Sequence, residues 1–169
     1  MKNVIIINGV GGSGKDTFVK YCKDYLRNLY IKTFNLSTVD KVREAAKILG
    51  WDGKKDEKSR KFLSDLKDIS TEYNSGPFNY INEQIRKNLN ENNVFFVHSR
   101  EPEEIYKFKN HYNEKCLTLL IDRGIEINSN HSDKNVKKFK YDIIIENSGS
   151  LAELKEKAID FCSLFLLKE

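Results

Sequence analysis

The chain has 169 residues, 39% of them apolar and 11% aromatic, which allows one domain with a sizeable core and argues against disorder. Its 29 basic and 25 acidic residues leave a net charge of +4 spread along the chain. That balance does not demand a nucleic-acid partner, although it suits a basic pocket for an anionic substrate. The three cysteines, Cys22, Cys116 and Cys162, lack metal-like spacing and read as reduced packing residues. No apolar stretch reaches the length of a membrane span, so the chain is expected in the cytoplasm.

The apolar run Val4-Ile5-Ile6-Ile7 leads into Gly9-Val10-Gly11-Gly12-Ser13-Gly14-Lys15-Asp16-Thr17. The run is too short for a signal peptide before the glycines break it, and it reads as a strand. Four glycines let successive backbone N–H groups converge on an anion at the positive end of a following helix. Lys15 adds a mobile charge for the β- and γ-phosphates of a nucleotide. The pattern Gly-x-x-x-x-Gly-Lys is complete, but Asp16 stands where Ser or Thr is usual, and the hydroxyl moves to Thr17. Asp16 and Thr17 are therefore the candidate metal ligands. A plain glycine turn between strand and helix has no need of the Gly-Lys pair.

In the helix after the loop, Thr17, Val19, Tyr21, Tyr25 and Leu26 are the candidate core positions. Residues 31–36 suggest a second strand. Ser37-Thr38-Val39-Asp40 resembles a capping box opening a helix that Gly50 closes, with Val42, Ala45, Ala46 and Leu49 as its apolar stripe. Phe62, Leu63, Leu66 and Ile69 give the next helix a similar stripe, and both are expected to bury one face. Pro77 suits the first turn of a further helix through Ile81, Ile85 and Leu89, ending near Asn90–Asn93. The apolar runs 94–97, 117–121 and 143–145 read as strands covered on both faces. Pro102 opens a helix between the first two of these, and Ser150-Leu151-Ala152-Glu153 is a second capping box, opening the last helix. Strictly alternating strands and helices predict an open, doubly wound parallel α/β sheet of about five strands, with ligands at the strands' carboxyl ends.

At those ends stand Arg100 and Arg123, whose planar, permanently charged guanidiniums suit phosphate oxygens. Ion pairs of Arg100 with Glu103 or Glu104, and of Arg123 with Asp122, are the competing use. Residues 124–140 have little apolar periodicity and read as a polar lid. Their lysines, Lys134, Lys137, Lys138 and Lys140, lie near Phe139 and Tyr141, a mixture that a nucleic-acid patch also shows. Asp40, Lys41 and Arg60 open helices on the expected acceptor side. His98 and His111 are assigned no metal.

With these residues placed, the chain resembles the P-loop monophosphate kinases, most closely the deoxynucleoside monophosphate kinases of phages and bacteria. Phosphomevalonate and dephospho-coenzyme A kinases are neighbours. The resemblance rests on Gly-Ser-Gly-Lys-Asp-Thr at 12–17, Ser37 to Trp51, Lys58 to Leu63, Ser99-Arg100 with Pro102-Glu103-Glu104, Asn130 to Asp133, and Tyr141 to Leu151. It implies one three-layer P-loop kinase domain over residues 1–169, with acceptor-binding helices at about 37–90 and a lid at about 123–141. It also implies that ATP and Mg²⁺ are used. Lys15, Arg100 and Arg123 would be catalytic, and Gly9, Gly11, Gly12, Ser13, Gly14, Lys15, Asp16, Thr17, Asn147 and Gly149 would hold the nucleotide, with Asn147 to Ser150 on its adenine side. Asp40, Lys41, Arg60 and Arg100 would bind a small phosphorylated acceptor. His98 departs from the family's pattern, which often has Asp there. Two other readings remain open: a kinase for a nonnucleotide metabolite or alcohol, and a noncatalytic nucleotide- or RNA-binding protein. The guanine-reading Asn-Lys-x-Asp of GTPases is absent.

Overall fold

The computed structural model describes residues 3–90, 93–124 and 135–167. Most of the polar segment, including His131, Asp133 and Lys134, lies outside them. In chain order the elements are β1 (Val4–Asn8), α1 (Lys15–Asn28), β2 (Lys32–Ser37), α2 (Asp40–Ile48), α3 (Glu57–Asn74), α4 (Gly76–Asn88), β3 (Asn93–His98), α5 (Pro102–Tyr112), β4 (Cys116–Asp122), β5 (Ile143–Glu146) and α6 (Leu151–Phe161). A π-helical turn, Cys162–Leu166, extends α6. The chain divides into two compact units, Met1–Asn35 with Asn90–Glu169, and Leu36–Leu89.

The five-stranded parallel sheet, with helices on both sides, has the order β2-β3-β1-β4-β5. β1 is central, with Ile7 opposite His98 of β3 and Asn8 opposite Leu120 of β4. Its run Val4–Ile7 is wholly buried, as is Val94–Val97 of β3. Continuous apolar runs form strands here because both faces must be covered. Ile143–Ile145 departs from that expectation. β5 pairs only with β4, and Ile144 is 59% exposed. An apolar run does not distinguish an edge strand from an inner one.

The helix after the loop buries Phe18, Val19, Cys22 and Leu26. Tyr21 and Tyr25 only border the core, and Thr17 is half-buried, so the predicted stripe is rotated by one residue. Phe18 meets Phe161 of α6 edge-on, with ring centroids 5.6 Å apart. All three cysteines are free and buried, as their spacing suggests.

In the second unit the start of α2 corrects the expected capping box. The helix begins at Asp40, two residues later than a Ser37 cap allows. Asp40 Oδ2 still accepts from Ser37 N at 2.8 Å, so half of the reciprocal arrangement survives. Gly50, at φ 93°, ends the helix with Gly50 N donating to Lys47 O and Trp51 N to Ala46 O, the bonding of a Schellman motif. α3, with 18 residues, does not bury its stripe. Phe62, Leu63 and Leu66 are half-buried and Ile69 is 63% exposed. At about 1.5 Å per residue, the nine residues of α2 cannot line the whole of α3. α4 buries Pro77, Ile81 and Ile85.

The second predicted box is complete. Ser150 N donates to Glu153 Oε2 at 2.6 Å, and Glu153 N donates to Ser150 Oγ at 3.2 Å. Ser150→Ala is expected to cost about 1 kcal/mol and to lower the melting temperature by about 2–4 °C by calorimetry. An unchanged melting temperature would show that the box contributes nothing to α6.

Candidate functional site

In the order β2-β3-β1-β4-β5 the chain leaves β1 toward β2 on one side and leaves the adjacent β3 toward β4 on the other, so the switch point lies between β1 and β3. Open α/β sheets form their binding crevice at such a switch point, beyond the carboxyl ends of the strands. Residues 9–14 follow β1 there, Ser99 and Arg100 follow β3, and Arg123 follows β4. Ser99 N donates to Ile7 O at 3.3 Å, which carries the β3 end alongside the loop.

Gly12 and Gly14 have φ of 79° and 91°, conformations that side chains with a Cβ resist. Gly14 is also the N-cap of α1, whose first residue is Lys15. The loop thus delivers its backbone to the positive end of a 14-residue helix. A Cβ on Gly11 would meet nothing within 4 Å, whereas one on Gly14 would run into the Asn147 amide. This is an open cradle with tight walls, which fits a phosphate chain.

Side chains from three strand ends hold the loop. Asn8 Oδ1 accepts from Gly9 N at 2.8 Å. Arg123 Nη1 donates to Gly12 O at 3.4 Å, so the β4 arginine does reach the loop. Asn147 Nδ2 donates to Ser13 O at 2.8 Å, and Asn147 N donates to Asp122 O at 2.7 Å. Asn147, 7% exposed, is therefore a brace of the loop. Ser13 Oγ is buried and has no hydrogen-bond partner among the described residues. Gly149 lies against the Glu153 carboxylate of the capping box, where a Cβ would come within 2.8 Å of Glu153 Cδ.

Asp16 is well exposed in the first turn of α1, and His98 Nδ1 stands 3.8 Å from its Oδ1. The other ring nitrogen of His98 lies 2.7 Å from Asn35 Oδ1. Among the described residues no three His, Cys, Asp or Glu side chains gather as a metal centre. The Asp16 carboxylate and Thr17 hydroxyl are hard oxygen donors, and Mg²⁺ typically takes one or two carboxylates and draws its other ligands from water and substrate phosphates. The donor set beside Lys15 fits that ion.

Asp122 ties the β4 end to the returning chain, accepting from Gly124 N at 3.0 Å and pairing with Lys137 at 3.0 Å. Those two contacts, Gly124 first, hold its carboxyl below the usual range. Phe139 and Tyr141, 5% and 8% exposed, are core residues. Buried in this way, Phe139 and Tyr141 offer no stacking platform of the kind single strands use.

Asp40, Lys41 and Arg60 lie in the second unit. Asp40 is the first residue of α2, accepts from Ser37 N and stands 3.6 Å from Arg43, Lys41 pairs with Glu44 at 2.5 Å, and Arg60 is exposed in the first turn of α3. Sequence reasoning missed Asn8 and the inward role of Tyr141. The Asn8 amide donates to Arg100 O at 3.2 Å and to the Tyr141 hydroxyl at 2.7 Å, and Tyr141 donates to Val136 O at 2.8 Å.

No family model and no curated protein matches the chain. Among solved structures it is similar to the APS kinase of Mycobacterium tuberculosis in complex with AMPPNP and APS. That likeness has 14% identity over 95% of this chain and 97% of the other, with a TM-score of 0.50. It is also similar to the shikimate kinase of Acinetobacter baumannii in complex with shikimate, at 11% identity over 98% and 96%, with a TM-score of 0.48. The chain has a P-loop kinase fold. At these identities the likeness is one of fold, and the chemistry has to be argued from the site.

Burial pushes the Tyr141 phenol up to about 12, with the Asn8 bond pulling the other way. The unfolded chain releases this proton near pH 10, so the stability it lends is full below that and is lost as pH rises through 12. Urea unfolding of Tyr141→Phe is expected to show a shallower alkaline decline than the wild type across that window. Equal slopes would mean that the phenol is not withheld from water.

Proposed function

We propose that the protein is a kinase that moves the γ-phosphoryl group of ATP to a small phosphorylated acceptor, a nucleoside or deoxynucleoside monophosphate. The observation that carries this reading is the loop itself: left-handed Gly12 and Gly14 opening onto the start of α1 at Lys15, with Arg123 from β4 on the Gly12 carbonyl. The whole of residues 1–169 is read as one kinase domain. Gly9 to Thr17, Asn147 and Gly149 serve the nucleotide, and Asp40, Lys41, Arg60 and Arg100 serve the acceptor.

In the reaction an acceptor phosphate oxygen bonds to the γ-phosphorus while the bond to the β–γ bridging oxygen breaks, and ADP leaves. An ionised phosphate is already a nucleophile, so the protein supplies alignment and positive charge. Lys15, Arg100 and Arg123 do this. Asp16 and Thr17 would hold Mg²⁺, which neutralises charge on the β- and γ-phosphates when bound.

An alcohol acceptor would need a base within reach of its hydroxyl, and Asp40 is the candidate. Its carboxylate is taken up by Ser37 N and Arg43, which favours the phosphate acceptor. A noncatalytic RNA-binding role loses support from the burial of Phe139 and Tyr141.

Lys15→Ala and Arg100→Ala are each expected to lower ATP-dependent phosphorylation by about 10²–10³-fold, with circular dichroism unchanged. A coupled ADP-release assay over monophosphates and metabolite alcohols identifies the acceptor. Full turnover by both variants, or ATP binding without transfer to any acceptor, would overturn the kinase reading. Asp16→Ala is expected to raise the Mg²⁺ concentration needed for half-maximal rate by roughly tenfold while ATP binding without metal stays unchanged. An unshifted Mg²⁺ titration would remove Asp16 from the metal site.

A further inference from the structure

Asn8, the last residue of β1, is 1% exposed in a strand end otherwise made of isoleucine. A buried amide destabilises the fold unless its donors and acceptor are bonded. Here both amide hydrogens and one oxygen lone pair are used, and each goes to a different part of the chain. Oδ1 takes Gly9 N, where the phosphate loop begins. Nδ2 takes the carbonyl of Arg100 beyond β3 and the hydroxyl of Tyr141 ahead of β5. The Tyr141 hydroxyl in turn donates a hydrogen bond to Val136 O.

A carboxylate at position 8 has no donor for Arg100 O, and an aliphatic side chain bonds to none of the three. The neighbour of Val136 continues the connection. Lys137 pairs with Asp122, the carbonyl of Asp122 accepts from Asn147 N, and Asn147 Nδ2 donates to Ser13 O. The two ends of the loop, Gly9 and Ser13, are thus joined through side chains from three other segments.

We propose that Asn8 and Tyr141 are positioning residues for the phosphate loop, fixing Gly9 to the Arg100 backbone and to the chain returning at Val136–Tyr141. They act through the loop and touch no substrate. The proposal rests on the nucleotide-binding reading of that loop. It deepens it by assigning the loop's geometry to a buried amide–phenol pair.

The test uses Asn8→Ala, Tyr141→Phe and the double variant of the full chain. Tyr141→Phe keeps the ring beside Phe139, 5.0 Å away between centroids, and removes only the hydroxyl. Each single change is expected to weaken ATP binding by roughly tenfold in calorimetry and to lower kcat as well. The double variant is expected to lose less than the product of the two single effects, because the two share one bond. Hydrogen exchange of the free protein supplies a readout that general destabilisation does not mimic. Amides of Gly9 to Gly14 should exchange faster in Tyr141→Phe, and those of Val4 to Ile7 at the wild-type rate.

Multiplying effects in the double variant, or faster exchange in β1 and loop alike, would overturn the proposal, leaving the pair a packing feature. Should the wild-type chain bind no ATP, the kinase reading fails by itself. The exchange rates of Gly9 to Gly14 then decide the positioning role: faster in Tyr141→Phe upholds it, and unchanged overturns it.

Discussion

A chain that gathers backbone N–H groups at one point has to keep like dipoles together before any anion arrives. The loop between β1 and α1 meets that requirement with glycines that accept positive φ and with donors placed on its carbonyls. Arg123 donates to Gly12 O and Asn147 to Ser13 O, while Asn8 takes Gly9 N out of the solvent's reach. The Asn147 donor on Ser13 O polarises its peptide unit, so the Gly14 N–H becomes a better donor, whereas Ser13 N is already given to Val10 O. The braces therefore do electrostatic as well as steric work.

The sheet order makes this bracing possible. With β1 central and β3 and β4 on its two sides, three strand ends open on the same side of the sheet, β4 running two residues beyond the level of Asn8, and β5 follows beside β4. Residues at or just beyond a strand's carboxyl end inherit the strand's rigidity, since its backbone is bonded into the sheet. A side chain carried on such a residue is aimed with less conformational freedom than one on a long loop. Asn8, Arg123 and Asn147 all occupy positions of this kind. Arg100 does too, and its own carbonyl is fixed by Asn8.

Features governed by neighbours in sequence were legible. The glycine-lysine loop, the positions of the apolar strands, the Pro102 and Pro77 helix starts and the Ser150 box depend on residues a few positions apart and stand as expected, whereas the equally local Ser37 box does not. Features governed by distant partners were not. Asn8 precedes a glycine and reads as turn chemistry, yet its partners Arg100 and Tyr141 are 92 and 133 positions away. Asn147 was placed on the adenine side by resemblance, and only the fold shows its amide spent on Ser13. Tyr141 looked like an aromatic among lysines, since nothing local marks a phenol as buried. Periodicity also cannot say how much neighbouring structure there is to bury against. Ile69 on the long α3 and Ile144 on the edge strand are exposed for that reason. The rotation of α1 by one residue comes from Phe18 and Cys22 packing on α6, a contact between helices far apart in the chain.

The acid–base character of the chain bears on which chemistry the site can perform. Reactions that draw a proton from a neutral hydroxyl use a group whose affinity for protons has been raised toward the working pH, commonly a carboxylate moved up by burial. Among the described carboxylates every one that shifts moves down: Asp122 through Gly124 N and Lys137, Glu153 through Ser150, Asp56 through Ser59. These acids are engaged in caps and ties, not poised as bases. What the strand ends offer is permanent positive charge in Arg100 and Arg123, with Lys15 on the helix start. Guanidiniums and an ammonium can stabilise charge moving between phosphates, and they take no proton themselves. On the proposed kinase reading, an acceptor that arrives already ionised suits such a site.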